Sequence, residues 1–354
     1  MRLQGMCRRG AARDARGAAG MSRDVVATRQ GHRLCVAPML DWTDRHCRYF
    51  LRLFSPRMWL YTEMITTPAI LRGRGEELLS CDPAEQPLAL QLGGADPGEL
   101  AAATRIAADR GYREINLNVG CPSDRVQNAT FGACLMARPG LVARCVSAMR
   151  AETDALVTVK TRIGIDERDD YGFLRDFVGA VVEAGCRLLI VHARKALLQG
   201  LSPKQNREIP PLHYDRAWQL KRDFPELFVV VNGGLRTVPQ AVEQWRHVDG
   251  VMLGREAYHN PYVLAALHAA AWGDGHEAPS PERVVALMQD YAERELIRGT
   301  RLHAITRHML GLLAGCAGAR TWRRILSEGA RDRRAGPELI ANALAASRVE
   351  RRTP

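Results

Sequence analysis

No apolar run in this chain reaches the ~18 residues that a membrane-crossing helix needs, so nothing in it reads as a span. No C-x-x-C pair occurs among its nine cysteines, Cys7, Cys35, Cys47, Cys81, Cys121, Cys134, Cys145, Cys186 and Cys316. Their odd number and scatter exclude a disulfide framework and a zinc ribbon, and read as reduced thiols of a cytoplasmic protein. There is no carboxylate cluster to suggest a metal, no G-x-S-x-G for a serine nucleophile and no Walker sequence for a nucleoside triphosphate. The first apolar run, "VAPML", carries no glycine, which argues against a dinucleotide-binding doubly wound sheet.

What is present begins with charge. Residues 1–30 hold seven Lys and Arg against two acids, residues 31–280 hold 29 of each sign, and residues 281–354 hold 14 against eight. A neutral body with basic ends suits a polyanionic partner, although arginines on solvated helix faces would give the same count. Residues 1–30, rich in Arg, Ala and Gly, read as a disordered extension without signal-peptide character.

From residue 33 one theme repeats: a short apolar run, a turn, then an amphipathic stretch. Eight runs occur, at 33–40, 58–64, 87–94, 114–120, 156–164, 187–195, 228–235 and 250–257. Continuous Val, Ile and Leu without polar alternation marks strands buried on both faces, and alternation with helices marks parallel crossovers. Eight such units imply a closed (β/α)8 TIM barrel over residues 31–275. Beyond "GDGHEAPSPER" only helical signals remain, so residues 281–346 read as a small all-helical C-terminal domain.

Barrel enzymes carry their chemistry at the C-terminal strand ends. Those ends here are Pro38 and Met39, Glu63, Gln91, Asn118 with Cys121, Lys160 with Arg162, His192 with Arg194 and Lys195, Asn232 to Gly234, and Gly254 with Arg255. Each has a bland alternative: His192 as a core histidine, Lys160 paired to Glu63, "NGG" as a plain turn. Their joint occurrence at equivalent positions favours a site. Loops after the seventh and eighth strands are the recurrent phosphate site of this fold, and Gly233, Gly234, Gly254 and Arg255 supply free backbone N–H groups and a guanidinium there. Gln91, Lys160 and His192 are donors for a flat heterocycle, with Lys160 suited to the negative charge of a reduced flavin. Cys121 ends a strand at a turn; buried packing and a functional thiol both remain open on that ground alone.

The stretches "VAPMLDWTDRHCRYF", "LNVGCPSDRVQNATFGACLM", "VKTRIGID", "VHARKALLQGLSPKQNREIPPL", "VNGG" and "GARTWRRILSE" resemble the tRNA-dihydrouridine synthases, specifically their bacterial A-type class, from about residue 33 to residue 345. The resemblance implies NADPH-dependent, FMN-mediated reduction of the C5–C6 double bond of D-loop uridines 20 and 20a in tRNA. It implies FMN held by Pro38, Met39, Leu40, Gln91, Lys160, His192, Asn232, Gly233, Gly234, Gly254 and Arg255. Cys121 is similar to the family's general acid, and Thr161 stands where a cysteine is often found. In that chemistry hydride passes from the reduced flavin N5 to uracil C6, and Cys121 protonates C5, since a thiol is mostly protonated at neutral pH. The target base must leave its stack to reach the barrel mouth. Asn118 is placed to hold the uracil edge and Arg194 to assist.

Arg320 and Arg323, three apart on one helix face, and Lys204 and Arg207 in the loop after the sixth strand read as a clamp on the tRNA backbone, with Trp322 and Ile325 turned toward the domain interior. A monomer without metal completes the expectation. A free-pyrimidine or enoate reductase on the same barrel would leave the basic helical region without use, and a non-enzymatic RNA-binding barrel would leave the cofactor residues without use.

Overall fold

The computed structural model describes residues 31–73, 75–123 and 131–349. The expectation for residues 1–30 lies outside them. Eight parallel strands, β1 (Leu34–Val36), β2 (Leu60–Thr66), β3 (Leu88–Gly93), β4 (Glu114–Val119), β5 (Leu156–Arg162), β6 (Leu188–His192), β7 (Phe228–Asn232) and β8 (Gly250–Leu253), pair in the order β1-β8-β7-β6-β5-β4-β3-β2. The outer two meet through Val36 N to Trp59 O and Trp59 N to Leu34 O, each 2.9 Å, which closes the barrel. Among the described residues no helix is long and apolar enough to cross a membrane.

Capping chemistry starts the crossover helices where the sequence signals it. Asp96 caps Pro97–Asp109 by accepting from Glu99 N, Asp170 caps Tyr171–Glu183 through Phe173 N, and Thr237 with Gln240 forms a capping box before Val238–Trp245. Their apolar faces pack on the outer surface of the sheet in one continuous core. A second, smaller cluster, Cys35, Ala37, Trp59, Tyr61, Ala89, Leu188, Ile190, Val230 and Met252, fills the barrel interior. That interior is not wholly apolar: Glu114, Asn116 and Thr158 are fully buried in it.

Most strands end short of the apolar runs read from the sequence, β1 at Val36 rather than 40, β6 at His192 rather than 195 and β7 at Asn232 rather than 235. β2 runs two residues further, to Thr66, and β8 stops at Leu253, with Arg255–His259 already helical. In the C-terminal region helices occupy Pro281–Ile297, Leu302–Thr306, Ala319–Gly329 and Glu338–Val349. Within this region, where the sequence shows only helical signals, the stretch 301–315 is helical only from Leu302 to Thr306. A β-carbon on Gly311 would lie 2.6 Å from His259 O, so the chain presses against the end of Arg255–His259 and continues in turns. The helical region grips the loop after β1. Asp44 accepts from Arg307 Nη2 at 2.6 Å and pairs with His308 Nε2 at 3.0 Å, Arg45 pairs with Glu295 at 2.5 Å, and Tyr49 stacks on Tyr291 at 4.0 Å.

Candidate active site

Cys121 sits two residues past β4 on a turn that Asn118 builds. Asn118 Oδ1 accepts from the backbone N–H of Gly120 and of Cys121, each at 3.0 Å, and Cys121 O accepts from Ala133 N at 2.9 Å. Arg162, buried at the end of β5, donates from Nε to Gly120 O at 3.1 Å and from Nη1 to Lys195 O and Asn206 O at 3.2 and 3.0 Å. One guanidinium thereby ties the Cys121 turn to the loop after β6. The thiol is half-buried and makes no hydrogen bond among the described residues. Cys134 differs: its Sγ donates to Phe131 O at 3.2 Å, and burial pushes its pKa up.

Lys160 is the register partner of Asn118, so it flanks the same turn. Its ammonium has no hydrogen-bond or ion-pair partner among the described residues, and Glu63 is not paired with it. Burial, and then the Arg162 charge, bring its pKa down to about 7. His192 ends β6, and its ring has no hydrogen-bond partner among the described residues; burial, with Arg162 and Lys160 next, holds it well below the usual imidazole value, hence neutral.

Gly233 and Gly234 follow β7 in left-handed conformations, at φ 120° and 69°. A β-carbon on Gly233 would come 2.8 Å from His192 Cδ2, and one on Gly234 would come 2.6 Å from Leu212 Cδ1. Asn232 donates from Nδ2 to Met252 O at 2.7 Å, bracing β7 against β8. At Gly254 a β-carbon would be only in ordinary contact, 3.8 Å from Met39 Sδ, so packing does not itself demand glycine there. Arg255 opens the next helix and pairs with Glu208. Met39 N and O both bond Thr43 Oγ1, at 2.9 and 3.2 Å, which fixes Pro38–Leu40 over the β1 end with Leu40 66% exposed.

Around this mouth cations outnumber acids. Arg194 donates to Pro210 O while its Nε is buried without a partner among the described residues. Arg207 makes no ion pair among the described residues, and desolvation of its guanidinium, then the Arg255 charge, pull its pKa down. Lys204, Arg320 and Arg323 are exposed, and none forms an ion pair among the described residues. Trp322 is fully buried and donates to Met309 O at 2.9 Å, so Arg320 and Arg323 lie on the opposite, outer side of their helix. The residues expected at the strand ends therefore converge on one mouth, whereas Arg320 and Arg323 stand apart on the helical region.

Sequence reasoning placed Arg162 at a strand end without assigning it a contact, and passed over Asn116, Glu114 and Thr158. The signal was the period of two in "EINLN", which places Glu114, Asn116 and Asn118 on one face of β4.

A closed (β/α)8 barrel with an unpartnered lysine, a neutral histidine, a glycine cradle and a half-buried thiol at its C-terminal mouth is the frame of an enzyme that works on a bound anion. Residues 35–348 match the model of the family described as Dihydrouridine synthase (Dus). The chain belongs to that family, and is an oxidoreductase. It is similar to the tRNA-dihydrouridine(20/20a) synthase of Shewanella oneidensis, 59% identical over 305 residues that cover 86% of this chain and 91% of that protein. It is likewise similar to the protein of that name from Escherichia coli strain K12, 57% identical over 313 residues covering 88% of this chain and 90% of the other. Among solved structures, morphinone reductase overlays with a TM-score of 0.46 at 13% identity, covering 71% of this chain and 88% of its own.

Proposed function

We propose that this enzyme reduces the C5–C6 double bond of D-loop uridines 20 and 20a in tRNA, with FMN as bound cofactor and NADPH as reductant, acting as a cytoplasmic monomer. The barrel, residues 31–275, is the catalytic unit and the helical region, residues 281–346, grips the tRNA. The observation that carries the reading is the positive charge at the mouth: Lys160, the buried Nε of Arg194 and Arg207 lie there without carboxylate partners among the described residues.

The residues present fit a flavin mononucleotide. The His192 and Leu212 side chains lie against Gly233 and Gly234 and exclude a β-carbon there, and the backbone N–H groups of this turn would meet the phosphate. Arg255 would share its guanidinium between the phosphate and Glu208. Lys160, neutral for part of the time at pH 7 without an anion, gains its proton when one arrives, and neutral His192 offers one ring N–H and one lone pair. Gln91, with Pro38, Met39 and Leu40, would bound the ring. When bound and reduced, the flavin supplies hydride to uracil C6. Cys121 Sγ then gives its proton to C5, and the thiolate recovers one from water. Asn118 has committed its oxygen to two backbone N–H groups, so it offers only N–H toward the uracil edge, where it would meet a carbonyl. Lys204 and Arg207 on the barrel rim, with Arg320 and Arg323 on the helical region, contact phosphates on either side of the flipped base.

The test is incubation with NADPH and an unmodified tRNA transcript, followed by mapping of dihydrouridine by mass spectrometry. Product at positions 20 and 20a is expected. Product elsewhere in the tRNA, or on free uridine at comparable rate, would contradict the substrate assignment.

A further inference from the structure

The barrel interior holds a polar chain that the reaction as described does not use. Glu114 is fully buried at the start of β4, roughly 13 Å from Asn118 along the strand. Its Oε2 lies 2.6 Å from His32 Nε2, and its Oε1 accepts from Tyr61 OH at 2.7 Å and from Thr158 Oγ1 at 2.6 Å. Thr158 Oγ1 in turn accepts from Asn116 Nδ2 at 2.7 Å, Asn116 Oδ1 accepts from Gln91 Nε2 at 2.8 Å, and Gln91 Oε1 accepts from Asn118 Nδ2 at 2.8 Å. Asn118 Oδ1 closes the chain on the N–H groups of Gly120 and Cys121.

The direction of this chain is fixed at both ends. A carboxylate only accepts, so Thr158 must donate to it and therefore accept from Asn116. Each amide above then has one allowed orientation. At the top, backbone N–H groups only donate, and they require the oxygen of Asn118. An amide flip anywhere between would set two acceptors or two donors face to face, with no water space to relieve them, since Asn116, Thr158 and Gln91 are at most 1% exposed.

We propose that Glu114 is a positioning residue for the Cys121 turn, acting through Thr158, Asn116, Gln91 and Asn118 to hold the thiol and the Asn118 N–H in one orientation toward the barrel mouth. The inference deepens the reading of Cys121 as proton donor and rests on it for its meaning in turnover, though not for its structural content. Glu114 touches neither substrate nor thiol; its carboxylate acts through the amides it orients.

The experiment is a double-mutant cycle between two residues that do not touch. Thr158→Val cuts the chain with nearly constant volume, Thr158→Ser restores the hydroxyl, and Asn118→Ala removes the turn itself. The readouts are the iodoacetamide alkylation rate of Cys121 in the flavin-free protein, mapped by peptide mass against Cys134 as internal control, and dihydrouridine formation by the flavin-loaded enzyme. We expect Thr158→Val to change the Cys121 rate by about threefold or more, Thr158→Ser to restore it, and Cys134 to stay level in both. In the Asn118→Ala background, Thr158→Val should have no further effect on either readout, because the link it cuts already ends nowhere. If Thr158→Val does not fold, Asn116→Leu cuts the same chain one link higher and carries the same expectations. An unchanged Cys121 rate in the cutting variant, effects that multiply independently with Asn118→Ala, or failure of the Ser variant to restore would each overturn the proposal. The alkylation pattern without dihydrouridine formation by wild type would instead leave the positioning chain standing and overturn the assigned activity.

Discussion

Two residues at the mouth make separable predictions. Lys160 is held near pKa 7 by burial and by Arg162, and a bound anion would raise it again. Binding then takes up a proton wherever the free protein has lost it, so affinity for FMN is flat below pH 7 and falls above it by up to about one log unit per pH unit. Titration of flavin-free protein between pH 6 and 9 checks this. Lys160→Met should bind more weakly and show no such slope; a wild-type profile that is flat throughout would place the anion elsewhere. Cys121 makes the second prediction. Cys121→Ala should keep flavin and its reduction by NADPH while losing about two orders of magnitude or more in dihydrouridine formation, the range of a lost general acid. Cys134→Ala should change little, since that thiol is tied to Phe131 O. Equal loss of flavin from Cys121→Ala would make it a packing residue.

At the scale of elements, the turn after β7 and the staple after β1 carry the argument. Gly233→Val combines a left-handed backbone with a β-carbon 2.8 Å from His192, so flavin retention after dialysis should fall sharply. Arg255→Ala should weaken it less, because Glu208 already shares that guanidinium. Full retention in both would move the phosphate. The staple is Asp44: burial pushes its carboxyl up, but the hydrogen bonds from His308, Cys47 N and Arg307 win and hold it below the usual carboxylate range. A lowered carboxyl stabilises the fold fully above its unfolded value of ~3.9 and loses that contribution as pH falls through its folded value. Asp44→Asn should therefore destabilise by about 2 kcal/mol at pH 7, with the gap to wild type narrowing below about pH 4. Denaturant unfolding at pH 7 and at low pH measures it.

These elements also show what the sequence could reveal. The strands were readable as apolar runs, because burial on both faces is a local signal. The end of β8 was not, since Gly254 and Arg255 extend an apolar run that the backbone has already left. The turns after Thr306 were not readable either, since they follow from the close approach of Gly311 to His259, about fifty residues away in the chain. In the site, Lys160, His192 and the glycines stood out by position, whereas Glu114 and Thr158 acquire meaning only when β3, β4 and β5 are brought side by side.

For the whole molecule, the distribution of charge joins the fold to its partner. The neutral barrel carries its unpaired cations at the mouth, and the helical region, fastened by Asp44 and Arg45, carries Arg320 and Arg323 on its outer side. The double variants Lys204→Ala with Arg207→Ala, and Arg320→Ala with Arg323→Ala, should each flatten the plot of log tRNA affinity against log salt by up to about one unit per cation removed. NADPH-driven flavin reduction should be unaffected in the second pair. An unchanged slope in both would put the RNA on another face.

The most direct test of the account is one absorbance experiment in the stopped-flow. Purified protein should be yellow, bleach on addition of NADPH under anaerobic conditions, and regain its colour rapidly with unmodified tRNA but not with free uridine or fully modified tRNA. Colourless protein, or reduced protein that free uridine reoxidises as fast as tRNA does, would contradict it.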